Sequence, residues 1–144
     1  MNGTDGMWGH CIYVCVQPGQ LQARLVVDQP QPAGPQWSAE HAALAHPRTL
    51  MGDYFAVQAL LRQAYAALLP RHWLTPAPVV IVHLLPEAQG GYTQVESRAF
   101  REAALRAGAR KAWVLAQGAA LSDAQALDFC RQGLLSAAVQ RLPD

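Results

Sequence analysis

Two hydrophobic periods alternate along this chain, and the switches between them predict its elements. Trp8 to Val16 is rich in β-branched and aromatic residues and stops at Gln17-Pro18-Gly19-Gln20, where proline and glycine favour a turn. Leu21, Ala23 and Leu25 then alternate with Gln22 and Arg24, the period of a strand with one wet face, so a hairpin with its second strand over Leu21 to Val27 follows. Asp28 to Pro35 holds three prolines and a glycine in eight residues, which predicts an exposed proline-rich loop over about residues 28–36. Trp37 and the run Ala39 to Leu44 are expected to fold back onto the body.

The period then changes to that of a helix. Asp53 is placed as an N-cap, and Val57, Leu61, Ala64, Tyr65 and Leu68 form one apolar stripe that ends at Pro70. Pro78 to Leu85 is a continuous apolar run of the kind that suits a strand covered on both faces. Thr93-Gln94-Val95-Glu96 has the form of a capping box opening a helix to about Ala107, with Gly108 placed to stop it. Lys111 to Leu115 reads as a strand, so a strand-helix-strand crossover with two parallel neighbours is implied. Ser122-Asp123-Ala124-Gln125 opens a last helix whose apolar face, Leu127, Cys130, Leu134 and Ala138, continues toward Leu142. The pattern predicts an α/β protein in the order hairpin, helix, strand, helix, strand, helix.

Composition narrows the function classes. The 144 residues, 51% hydrophobic and 15% charged, suit one domain over 1–144. With 11 basic against 10 acidic residues the formal charge is +1, which supplies no broad field for nucleic acid or an anionic membrane. The longest apolar run, Pro78 to Pro86, is about nine residues, against roughly 18 for a membrane span, and the N-terminus has no basic leader region. A soluble cytoplasmic protein with no integral membrane segment is expected. Cys11, Cys15 and Cys130 form no CxxC pair, and buried, reduced thiols are the simplest expectation.

Few residues invite chemistry. His10, His41, His46, His72 and His83 lack the helical spacing and acidic third ligand of a metal site, so no metal is assigned. His83 stands out, because an imidazole inside an apolar run needs a hydrogen-bond partner. Neither a Gly-x-Ser-x-Gly elbow nor a phosphate loop is present. Arg98, Arg101, Arg106 and Arg110 are interleaved with Glu96 and Glu102, which reads as a solvated charged face able to dock a protein.

The run Gly91-Tyr92-Thr93-Gln94-Val95-Glu96-Ser97-Arg98-Ala99-Phe100-Arg101-Glu102-Ala103-Ala104, continued by Ala107 to Arg110, resembles the Thr-Gln-Val-Glu segment and following helix of the MreB family of bacterial actins. The resemblance extends through His46 to Phe55, which looks like the start of a helix in that family, and through Val79 to Pro86, which looks like its next strand. It implies the first subdomain of the actin and Hsp70-like ATPase fold, a ribonuclease-H-like mixed sheet, hairpin plus parallel strands, flanked by helices.

The departures from that family bear on activity. Its first phosphate hairpin begins Asp-Leu-Gly-Thr, whereas Asp5-Gly6-Met7-Trp8-Gly9-His10 lacks the threonine. Where it has a Glu-Glu-Pro segment with a water-orienting glutamate, this chain has Ala116-Gln117-Gly118. One lobe is in view, and the insertion that forms the family's second small subdomain is reduced to Asp28 to Ala45. No enzyme activity, catalytic residue or bound cofactor is therefore expected. In MreB-like proteins the helix matching Thr93 to Ala107 contributes to contacts between paired filaments. The resemblance thus implies a non-catalytic interaction domain of the bacterial cytoskeleton and cell shape, docking through Val95, Arg98 and Glu102 onto itself, as in a homodimer, or onto an MreB-like filament protein. Burial of Val95 with Ala99 and Ala103 is the competing expectation. The alternative functions are a nucleotide-binding protein or enzyme completed by homodimerisation, and a degenerate remnant with a different role.

Overall fold

The computed structural model describes residues 10–27, 34–45, 49–69, 75–86, 91–116 and 118–140, with side chains followed to Gln132 in the last helix. The strands are β1 (Cys11–Gln17), β2 (Gln20–Val26), β3 (Gln36–Glu40), β4 (Val79–Leu84) and β5 (Lys111–Ala116). The helices are α1 (Tyr54–Leu68), α2 (Gln94–Arg106) and α3 (Asp123–Gln140), and a 3-10 turn spans Ala42–Leu44.

The strands form one mixed sheet in the order β3-β2-β1-β4-β5. β2 is antiparallel to both β1 and β3, while β4 is parallel to β1 and β5. Three helices flank the sheet, and this arrangement is compatible with one ribonuclease-H-like subdomain. Pro18 and Gly19 close the β1–β2 hairpin, and Gly19 adopts φ +76°, the left-handed conformation that the third position of a type II turn requires.

β1 and β4 lie in the middle, covered on both faces, and this is why their sequences are continuous apolar runs. Ile12, Val14 and Val16 join Val80, Val82 and Leu84 on one face, against Val57, Leu61 and Ala64 of α1 and Phe100, Ala103 and Ala104 of α2. Cys11, Tyr13 and Cys15 join Val79 and Ile81 on the other, beneath Ala126 and Cys130 of α3. Among the described residues no helix is long and apolar enough to cross a membrane.

Three local features differ from the sequence expectation. β1 begins at Cys11, not Trp8; His10 precedes the strand, and Trp8 and Gly9 lie outside the described residues. Gln36–Glu40 is a strand at the sheet edge, not a loosely folded-back segment: Trp37 and Ala39 turn inward while Gln36, Ser38 and Glu40 face water. β2 ends one residue early, at Val26. Most of the proline-rich loop (residues 28–33), Pro70, the side chains of Leu134 and Ala138, and Leu142 lie outside the described residues.

Candidate functional site

α2 carries the three residues singled out by the resemblance, and its start is fixed by local chemistry. Thr93 Oγ1 accepts from the Glu96 amide at 3.0 Å, and Glu96 Oε1 accepts from the Thr93 amide at 3.1 Å, a complete capping box. The second carboxylate oxygen of Glu96 accepts from Thr49 Oγ1 at 2.7 Å, which ties the entry of α1 to the first turn of α2. At the other ends, Tyr65 donates to Ala104 O at 3.0 Å and Arg62 donates to Arg106 O at 3.1 Å. The two helices therefore run side by side in the same direction.

Burial alone pushes the Glu96 carboxyl up, but the hydrogen bonds from Thr49 and from the backbone and hydroxyl of Thr93 outweigh it and hold the group below its ordinary value. A depressed carboxyl contributes stability that is complete above its unfolded pKa, about 4.3, and is lost as pH falls through the folded value. Glu96→Gln is expected to flatten the acid limb of a stability-against-pH curve while leaving the neutral limb parallel to wild type. Urea titrations across pH 2–6 would check this, and an unchanged acid limb would contradict the assigned hydrogen bonds.

The core stripe of α2 is Phe100, Ala103, Ala104 and Ala107, and Val95 lies off it. Val95 is 77% exposed, so it does not share the buried side of Ala103. Arg98 is exposed, and Glu102 is half-buried and paired with Arg106 at 3.3 Å. Val95, Arg98 and Glu102 recur at offsets of three and seven and so form one outward stripe, continued by half-buried Leu105. Arg101 donates to Ala112 O at 3.3 Å, whereas Arg98 has no hydrogen-bond or ion-pair partner among the described residues. Phe55, the second residue of α1, is 78% exposed, as Val95 is at the second position of α2. The parallel helices thus present two uncovered apolar side chains at the same end.

The opposite sheet face holds a polar cluster whose members the sequence did not connect. Tyr13 Oη accepts from the Leu121 amide at 2.9 Å and lies 2.6 Å from His83 Nδ1. The phenol and the imidazole Nδ1 share this bond, the tautomer of His83 setting which of them donates. The Arg24 guanidinium lies 4.7 Å from the Tyr13 ring centroid, donates to Asp123 Oδ1 at 2.6 Å and to Leu121 O at 2.6 Å. A cavity of about 230 Å³ opens beside them, lined by Cys15, Gln22, Arg24, Gln36 and Ser38.

No family model matches the chain, and no curated protein matches its sequence. Burial pushes the Tyr13 phenol and the Cys15 thiol up, away from their ionised, reactive forms. Asp123 balances the Arg24 charge, so the cluster works as a clamp holding both backbone groups of Leu121 and the first residue of α3. Among the described residues no group of three His, Cys, Asp or Glu side chains could hold a metal ion. In the Ala116-Gln117-Gly118 segment, Ala116 ends β5 and Gly118 takes φ +94°; Gln117 and Asp5 to Gly9 lie outside the described residues.

Proposed function

We propose that this chain is a non-catalytic protein-interaction domain that docks through the outward stripe of α2, onto a second copy of itself or onto a filament protein of the MreB family. The observation that carries this is the exposure of Val95 together with the unpaired charge of Arg98 on one face of α2. Uncovered apolar side chains rimmed by charge are the usual ingredients of a protein contact. The stripe is also self-complementary: two copies of α2 packed antiparallel about a two-fold at Phe100 set each Arg98 opposite the other Glu102, and each Val95 opposite the other Leu105. The MreB-like Thr-Gln-Val-Glu start of this helix supports a cytoskeletal partner, and the replacement of the family's carboxylates by Ala116-Gln117-Gly118 supports a role without ATP hydrolysis.

Sedimentation equilibrium of the protein alone, and co-sedimentation with MreB filaments, test the proposal. Val95→Glu is expected to weaken association at least tenfold while shifting stability by no more than about 0.5 kcal/mol, as befits an exposed position. Arg98→Glu should weaken it too, and Arg98→Glu with Glu102→Arg should restore self-association. A monomer at high concentration that ignores MreB filaments would remove the proposal. Calorimetric heat on titration with Mg-ATP would favour the nucleotide-binding alternative instead.

A further inference from the structure

Cys11 opens β1 and Cys130 lies on α3, 119 residues apart in sequence, yet their sulfurs are 2.9 Å apart. Both are buried in the apolar layer between α3 and the sheet, at 3% and 0% exposure. A disulfide needs about 2.05 Å between sulfurs, so less than 1 Å of approach separates two thiols from a covalent bond. Cys15 is four residues further along the same face of β1, about 13 Å away by strand geometry, toward the Tyr13 and Arg24 end of the cluster. The odd cysteine count thus resolves into one matched pair and one bystander.

We propose that Cys11 and Cys130 form a modification site for low-molecular-weight disulfides, closing to a bond that staples α3 to the start of β1. The chemistry balances in two exchanges. One protein thiol, as thiolate, attacks the small disulfide RSSR, forming a protein–S–S–R bond and releasing one RSH after proton return. The neighbouring thiolate then attacks the protein sulfur of that mixed disulfide, forming Cys11–S–S–Cys130 and expelling the second RSH. Two protein thiols are oxidised by two electrons and one disulfide is reduced to two thiols.

Accessibility sets the rate. The hydrogen bond to Cys130, followed by burial, pushes the Cys11 thiol well above its ordinary value, and both sulfurs are shielded from solvent. Exchange proceeds when α3 lifts. It lies over the sheet on one apolar layer, and lifting it away uncovers both sulfurs. Once formed, the bond pins α3 at Cys130 while the clamp holds Asp123, so the helix is fixed at two points.

The test uses the full chain incubated with oxidised glutathione, followed by intact mass and peptide mapping under non-reducing conditions. Chymotryptic cleavage after Tyr13 separates Cys11 from Cys15. The expected result is loss of two hydrogens, a Cys11–Cys130 cross-linked peptide and Cys15 still open to alkylation. The melting temperature should rise by roughly 10 °C, because the bond closes a very long loop in the unfolded chain, and dithiothreitol should reverse the rise. Cys15→Ser should behave like wild type, whereas Cys130→Ser should show no intramolecular bond. A bond through Cys15, a glutathione adduct as the end product, or two intact thiols after exchange in mild urea would each overturn the proposal. The wild-type peptide map decides the matter even where Cys130→Ser folds poorly.

Discussion

Phe100→Ala is expected to destabilise the protein by about 3–5 kcal/mol, the range for deleting a fully buried aromatic side chain. Phe100 is 0% exposed and is the one large side chain among the buried residues of α2; the others are alanines, Ala103 and Ala104. Small neighbours on a helix cannot lean into the space that the ring vacates, so the cavity term should persist alongside the lost transfer energy. Against a typical total of about 5–15 kcal/mol this is a large fraction. Urea denaturation should show a lower midpoint with an unchanged slope. The variant should also weaken docking, because Val95 and Arg98 ride on the same helix. A loss below about 1 kcal/mol would mean that α2 is not seated through Phe100. Val95→Ala is the matched control, expected within about 0.5 kcal/mol of wild type.

Much of this was legible where local chemistry decides structure. The N-cap Asp53 accepts from the Ala56 amide at 3.2 Å, and Ser122 and Gln125 form their reciprocal bonds at 2.9 and 3.2 Å, as their spacing predicts. The apolar run of β4 signalled two-sided cover, and β4 does lie between β1 and β5. β3 was missed although Gln36-Trp37-Ser38-Ala39-Glu40 alternates strictly, because five residues straight after a proline cluster carry too short a period to outweigh the loop composition. Val95 was ambiguous because its spacing of four to Ala99 mimics a core stripe. The true stripe runs at offsets of zero, three, four and seven from Phe100, and Val95 falls more than a third of a turn from its middle.

Long-range polar contacts were the unreadable part. The need of His83 for a partner followed from its apolar surroundings, but nothing local names Tyr13, 70 residues away. Arg24 and Asp123, 99 residues apart, each look like ordinary surface charges on their own elements. They meet because the chain after β5 crosses back over β1 and β2, a fact of topology that neither strand period nor helix period encodes. Cys11 and Cys130 meet for the same reason.

That crossing makes Tyr13→Phe the most informative single-atom change, with an expected loss of about 2–3 kcal/mol. The phenylalanine ring keeps its burial and its place beneath Arg24, so the change removes the hydroxyl alone. Two groups then lose a partner together: His83 Nδ1, on a residue 2% exposed, and the Leu121 amide. Leaving a buried polar atom unpaired costs about 1–3 kcal/mol, more than the net worth of the bond itself, whereas the half-buried Leu121 amide recovers part of its loss through water. Arg24 still holds Leu121 O and Asp123, so α3 should stay docked while its entry loosens. Hydrogen exchange at the Leu121 amide should accelerate at least tenfold, with much smaller change in β4. Equal stability and unchanged exchange would show that the phenol does not bridge strand and connection. A loss spread uniformly over the sheet would show that Tyr13 acts through packing, and the clamp would then rest on Arg24 alone.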